Sequence, residues 1–222
     1  MKAELHSLNW PEADSRLAES QSAVFKHFGI PLRQYHIKAD HSRWMDAILH
    51  QSKADIIVFI DNDCIPLSKK AVVESIQWTW ENHSFLGLAQ AANHIQGGNH
   101  IYAAPAFLAI TRDAWTRLGK PSMIPTSRGD VAEELSWKAE ESGLVYKALY
   151  PTYFHHQSDD GLWKLGNYGH YGIGTIFADR FFHLYQGRLS KNVELFDEIC
   201  TKVKSNTFCT DNFVSCTMRS KT

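Results

Sequence analysis

Apolar residues fall along this chain in two rhythms. In one they follow each other almost without a break, as in 56–60, 85–91 and 103–111; in the other they recur at helical spacing, as Leu17, Val24, Phe25 and Phe28 do. The first rhythm predicts strands buried on both faces, the second amphipathic helices. Read in order, Ala3 to Leu8 is a strand, a helix follows the Asn9-Trp10-Pro11 turn and closes at Gly29, Leu32 to Ile37 is a strand, Arg43 to His50 a helix, and a third strand ends at Asp61. This β-α-β-α-β order predicts an α/β fold, a mostly parallel central sheet with helices on both faces. In such sheets ligands gather at the carboxyl ends of the strands.

Beyond Asp61, Ser68 is placed to cap a helix running to about Trp80, and Phe85 to Ala91 and Ala103 to Thr111 read as strands. Arg112 to Leu118 is a short helix closed by Gly119. Val131 to Ser142 is a second helix, ended by Gly143, and Leu144 to Phe154 a strand from which His155 and His156 emerge. The rest is aromatic and glycine-rich, notably 166–175, and reads as a loop that orders around a ligand or as a packed irregular tail. The expected organisation is one domain over 1–222, with 157–222 as an irregular or helical appendage.

Two carboxylates change the picture from fold to chemistry. Asp61 and Asp63 leave the end of the apolar run Ile56-Ile57-Val58-Phe59-Ile60, and alternation puts both on one side of the chain. An Asx-rich turn would also produce such a pair. Held together at the end of a core strand, however, two anions repel unless a cation lies between them. Mg²⁺ or Mn²⁺, bound by one or two carboxylates and substrate phosphates, suits that place.

Composition narrows the partners. The 222 residues carry a formal charge of −1, with Lys and Arg scattered, so no basic stripe offers itself to nucleic acid. No apolar segment approaches the ~20 residues of a membrane span, and Glu4 and His6 stand where a signal peptide would be apolar. A soluble, cytoplasmic chain is expected. The four cysteines contain no Cys-x-x-Cys, which favours free thiols, although three near the C-terminus permit a disulfide.

Three segments in this order resemble nucleotide-sugar glycosyltransferases of the Rossmann-like GT-A fold, family 2 type, over roughly 3–156. Phe59-Ile60-Asp61-Asn62-Asp63-Cys64 is similar to the DxD motif. Residues 104–115 resemble the acceptor-side strand and its following helix, and 133–143 the helix bearing the family's acidic residue. The resemblance implies a nucleotide-sugar donor carrying UDP or GDP, a saccharide or glycan acceptor, and Mn²⁺ or Mg²⁺. Asp61, Asp63 and His155 would be the metal ligands, with His156 beside His155 and His183 as the rival histidine. Arg188 or Lys164 would supply a cation for the diphosphate. Asn9 and Trp10 would meet the base, Asp40 the ribose and Arg43 the diphosphate, with Asn62 and Asp61 also on the donor. Asp130 would be the base, or else a plain helix cap, with Glu133 or Glu134 as the other nearby acids.

The same strand-Asp-x-Asp pattern also opens phosphohydrolases of the haloacid dehalogenase type. There Asp61 would be the nucleophile, Asp63 the general acid and Asp159-Asp160 the distal Mg²⁺ ligands. A carbohydrate- or nucleotide-binding module without turnover is the third expectation.

Overall fold

The computed structural model describes residues 1–95, 99–155, 162–185, 187 and 190–216. Its main sheet is built from β1 (Ala3–Asn9), β2 (Arg33–His36), β3 (Ile56–Ile60), β5 (Phe85–Ala91), β6 (Ile101–Thr111) and β7 (Lys147–Leu149), in the order β2-β1-β3-β6-β5-β7. Only β6 runs against the others. This is the expected α/β architecture with a mostly parallel sheet.

The period of two along β3 decides which helices cover which face. Ile57 and Phe59 face α2 (His41–Gln51), α4 (Arg112–Arg117) and α5 (Glu133–Ser142), where they meet Trp44, Leu49, Trp115 and Leu135. Ile56, Val58 and Ile60 face the other way, towards Phe25 of α1 (Ser15–His27) and Val72 of α3 (Lys69–Glu81). All five side chains of β3 are buried. At roughly 1.5–3 kcal/mol for each large side chain taken out of water, this strand anchors the sheet, and Asp61 follows directly on it.

A break in β6 sets the height of Asp61. The β5–β6 register slips between Gly87 and Leu88, leaving Pro105 to Phe107 without facing ladder partners on β5. A proline has no N–H to give a ladder, so a bulge is where a central strand tolerates one. There the Ala106 carbonyl turns to accept from the Asp61 N–H at 3.0 Å.

A second sheet, in the order β13-β8-β11-β12-β4, abuts the first. Its members are β4 (Cys64–Pro66), β8 (Pro151–Phe154), β11 (Thr175–Phe177), β12 (Phe181–His183) and β13 (Val214–Ser215), while β9 (Leu162–Lys164) and β10 (His170–Gly172) form a separate hairpin. The long helix α6 (Ser190–Lys204) packs Phe196, Ile199 and Val203 against Leu17 and Val24 of α1 and Phe182 of β12.

Several local expectations need correction. The strand foreseen over 144–154 is two strands, β7 in the first sheet and β8 in the second, because the chain changes sheet at Tyr150. The helix foreseen from Val131 starts at Glu133: Ala132 takes a left-handed φ of +64°, which interrupts helical hydrogen bonding. Asp130 therefore does not stand at the N-cap position. Within the glycine-rich stretch 166–175, His170–Gly172 is strand β10, paired antiparallel with β9. The short β4 was not foreseen. All four cysteines are free thiols. No helix among the described residues is long and apolar enough to cross a membrane.

Candidate functional site

Strand pairing builds the candidate site. Asp63 is followed at once by β4, and β4 pairs antiparallel with β12 so that His183 lies opposite Cys64. The Leu184 N–H donates to the Asp63 carbonyl at 2.9 Å, fixing the same register. The result is a histidine delivered from far along the chain onto the carboxylate pair. His183 Nε2 is 3.2 Å from Asp63 Oδ1 and 3.9 Å from Asp61 Oδ2. One donor atom from each of Asp61, Asp63 and His183 fits within 4.8 Å of the others, a group that could hold a metal ion.

The turn carrying the two carboxylates is clamped from behind by Gln21 of α1. Its fully buried Nε2 donates to the carbonyls of Asp61 at 2.6 Å and Cys64 at 2.9 Å, and its Oε1 accepts from Gln34 at 3.1 Å. On the open side, His41 at the start of α2 brings Nε2 to 3.4 Å from Asp61 Oδ1. The backbone N–H of Gly187 donates to Asp63 Oδ2 at 3.3 Å.

These surroundings separate the two acids. Burial raises the Asp61 carboxyl, and the neighbouring Asp63 charge adds to the rise, against the opposing pull of His41 and His183. Burial also pushes on Asp63, but there the His183 imidazole, its hydrogen bond and the Gly187 N–H prevail and hold the carboxyl below its ordinary value. The ring of His183 lies 3.9 Å from that of Tyr185, centroid to centroid. His183 Nδ1 and the Tyr185 hydroxyl are buried with no hydrogen-bond partner among the described residues.

Asp61, Asn62, Asp63, His41, Gly187 and Trp10 line a cleft of about 470 Å³. Trp10, Ala13 and Asn62 also line a second cleft of about 480 Å³ that runs over α1 to Asn9, Gln34 and His36. Trp10 is half exposed and belongs to both. Asn9 is only 3% exposed, and neither its Oδ1 nor its Nδ2 has a partner among the described residues. A buried amide without partners costs on the order of 1–3 kcal/mol unless something completes it.

The other expected site residues are placed differently. Asp40 caps α2, its Oδ1 accepting from Ser42 Oγ at 2.6 Å and the Arg43 N–H at 2.9 Å, and these bonds lower its carboxyl. Neither Asp40 nor the exposed Arg43 lines the two clefts. His155 follows β8 with its ring edge-on to Phe213 at 5.6 Å and is not part of the Asp61–Asp63–His183 group. Glu133 is buried, with Oε1 2.6 Å from His100 Nδ1 and Oε2 accepting from the Asp130 N–H at 2.8 Å. Asp130 keeps one third of its side chain exposed, takes the Val131 N–H on Oδ1 at 2.7 Å and stands 4.0 Å from His94. Tyr102 connects the two acidic regions electrostatically: burial raises its phenol, and Asp130, Glu133 and, more weakly, Asp61 raise it further. Lys164 ends β9, where its backbone N–H and carbonyl bond the Asn93 side chain. His156, Asp159, Asp160 and Arg188 lie outside the described residues.

His41 and Gln21 were missed by the sequence reading. His41 carried one signal, its place after a strand of a parallel sheet, on the rim where ligands gather. Gln21 carried none, since a glutamine on a helix face declares nothing until the facing carbonyls are known.

No protein-family profile matches the chain, and no curated protein matches it. Among solved structures the chain is similar to A197 from STIV, at 13% identity over 83% of this chain and 94% of that one, with a TM-score of 0.48. It is also similar to the mannosyltransferase PcManGT from Pyrobaculum calidifontis in complex with GDP-Man and Mn²⁺, at 11% identity and a TM-score of 0.47, covering 66% of this chain and 54% of that one. A third is a putative glucose-1-phosphate thymidylyltransferase from Bacillus anthracis, at 12% identity and 0.40, over 65% of this chain and 86% of that one. The chain thus spans about half the length of the mannosyltransferase. Glycosyltransferases and nucleotidyltransferases are both among its structural neighbours, and likeness at these identities concerns the fold alone.

Proposed function

We propose that this chain is a metal-dependent glycosyltransferase that moves a sugar from a nucleoside-diphosphate sugar to a saccharide or glycan acceptor. One observation carries the reading: the cleft beside Asp61, Asp63 and His183 continues, past Trp10 and Asn62, into a second cleft where the buried Asn9 amide has no hydrogen-bond partner among the described residues. A ligand with a charged diphosphate at one end and a hydrogen-bonding heterocycle at the other matches both halves.

The donor set fits a hard divalent ion. Two carboxylates and one imidazole suit Mn²⁺ or Mg²⁺, which complete their shells with water and phosphate oxygens. Nε2 of His183 is the ring nitrogen that faces both carboxylates, while its buried Nδ1 has no hydrogen-bond partner among the described residues. When bound, the ion offsets the negative charge that grows on the departing diphosphate. Trp10 offers a ring face to the base, and Asn9 offers one donor and one acceptor to its edge.

Asp130 is the proposed base. Its side chain is one third exposed, whereas both Glu133 oxygens are engaged, one by His100 and one by the Asp130 N–H, and both Glu134 oxygens are held by Arg128. Glu133 is thereby assigned to holding the Asp130 segment. In the transfer, the acceptor oxygen bonds to the sugar's anomeric carbon as the bond from that carbon to the diphosphate oxygen breaks. The bonding pair leaves with the diphosphate, and Asp130 takes the hydroxyl proton.

Calorimetric titration with UDP and GDP, each with Mn²⁺ and again with EDTA, tests the reading on the wild type and on Asp63→Ala. Binding of a nucleoside diphosphate that needs both metal and Asp63 is expected. If no nucleotide binds while a phosphate monoester is hydrolysed, and Asp61→Asn abolishes that hydrolysis, the phosphohydrolase takes its place. Nucleotide binding without turnover of any nucleotide sugar would leave a binding module.

A further inference from the structure

The metal group accounts for one face of Asp61 and leaves the other to His41. Asp61 Oδ2 faces His183 at 3.9 Å, while Oδ1 faces His41 Nε2 at 3.4 Å, so the carboxylate stands between two imidazoles of different elements. His41 does not belong to the three-residue metal group. From this geometry we infer that His41 is a positioning residue. Its Nε2–H holds Asp61 Oδ1 and so turns Oδ2 towards the cation shared with Asp63 and His183. The inference rests on the metal reading proposed above and adds a residue to it.

Three features make His41 suited to this and not merely near. First, its backbone is fixed. It is the first residue of α2, directly after the capping Asp40, whose carboxylate already satisfies the Arg43 N–H. Second, its ring plane is fixed. His41 stacks on Trp44 at 5.9 Å and 19°, the pair that lies one turn apart on a helix face. Trp44 is itself wedged edge-on against Phe59 and Tyr35, each at 5.6 Å. Third, Phe59 and Asp61 project to the same side of the chain, being two residues apart on an extended segment. The end of β3 and the start of α2 therefore touch twice, Phe59 on Trp44 and Asp61 on His41.

What remains free in Asp61 is its side-chain rotation. Its N–H is taken by the Ala106 carbonyl and its carbonyl by Gln21. A carboxylate so placed binds a metal well only if its unused oxygen is held, and removing such an outer partner typically costs about 10- to 100-fold in metal affinity.

Mn²⁺ affinity, read from the electron paramagnetic resonance signal of the free ion, tests this with no need of the sugar or acceptor. His41→Phe keeps the ring stack on Trp44 and removes the donor; His41→Gln keeps an N–H at a similar reach. His41→Phe is expected to weaken Mn²⁺ binding about 10- to 100-fold while the melting temperature of the metal-free protein stays near that of the wild type, and His41→Gln is expected to restore most of the affinity. Wild-type affinity in His41→Phe overturns the inference. So does an equal loss in both variants accompanied by a lowered melting temperature, the mark of a structural role. A wild type that binds no Mn²⁺ overturns the metal reading itself, whereas normal wild-type binding with an indifferent His41→Phe overturns only the role of His41.

Discussion

Gly187 stands against Asp63 so closely that a side chain has no room there. Its N–H donates to Asp63 Oδ2 at 3.3 Å, and a Cβ built on it would lie 2.7 Å from that oxygen and 2.9 Å from the Asp63 Cβ. The glycine serves here for close approach, with a backbone N–H taking the place of a charged donor. Gly187→Ala must push the carboxylate aside. We expect it to weaken Mn²⁺ binding by about 10-fold, within the range seen when an outer hydrogen bond to a metal ligand is lost. Calorimetric titration of the purified variant measures this, and unchanged affinity would show that Asp63 is free to yield.

Gln21 gives a different kind of prediction, because its Nε2 holds the carbonyls of the turn and touches neither carboxylate. Gln21→Leu preserves most of its volume but takes the amide donor from the Asp61 and Cys64 carbonyls, of which that of Asp61 keeps the Cys64 N–H at 3.0 Å, and takes the acceptor from Gln34, a loss on the order of 1–3 kcal/mol of stability. The urea midpoint should fall accordingly. Gln21→Glu should cost more at neutral pH, since a second acceptor would then face two carbonyls close to two acids. A midpoint for Gln21→Leu equal to that of the wild type would mean that the turn holds itself.

How much of this arrangement could be read beforehand follows from how local each signal is. The β3 run and its two aspartates were legible because burial on both faces and an abrupt polar end are written in consecutive residues. The helices α1, α2 and α3 were legible for the same reason, and Ser68 caps α3 as foreseen, its Oγ accepting from the Ala71 N–H. Which histidine comes to lie beside the two carboxylates was not legible in this way. His155 and His183 each leave a strand of the second sheet, and only the pairing of β12 with β4, two segments remote in sequence, brings His183 to Asp63. The break at Tyr150 was hidden likewise: an apolar run does not say that its halves belong to different sheets. Asp130 was placed at the right helix end, but the left-handed Ala132 displaced it from the cap.

Asn9 should show the opposite balance of stability and binding. With both amide atoms buried and without a partner among the described residues, it burdens the free protein. Asn9→Leu therefore ought to leave the melting temperature unchanged or raise it. The same substitution removes the donor and acceptor proposed for the base, and we expect nucleoside-diphosphate affinity to fall by about 10- to 100-fold, the equivalent of roughly 1–3 kcal/mol. Mn²⁺ affinity should be untouched. If Asn9→Leu destabilises the protein and leaves nucleotide binding intact, the amide is structural and the base lies elsewhere.

The first losses of stability on acidification should come from β1, away from the candidate site. His6 is buried beside Tyr35 and Phe59, and that burial lowers its imidazole from 6.5 to about 4, with Glu4 opposing the shift and Arg33 adding to it. Glu4 is lowered from 4.5 to about 2 by its hydrogen bonds with Lys2 and Ser52, against burial, with Arg33 assisting. Both groups bind protons more readily in the unfolded chain, so both make stability rise with pH. For His6 the contribution is complete above 6.5 and drains away as pH falls from there to about 4. For Glu4 it is complete above 4.5 and drains towards about 2. Folding stability should thus decline in two successive steps on acidification. The first is worth on the order of 2–3 kcal/mol, as the linkage of one buried imidazole allows. The second is nearer to 1 kcal/mol, because Lys2 and Arg33 reach Glu4 from solvent. Denaturant titrations at closely spaced pH values resolve the steps, and His6→Phe should erase the upper one while leaving the lower. A His6→Phe protein that still loses stability between pH 6.5 and 4 would place the acid sensitivity in another group.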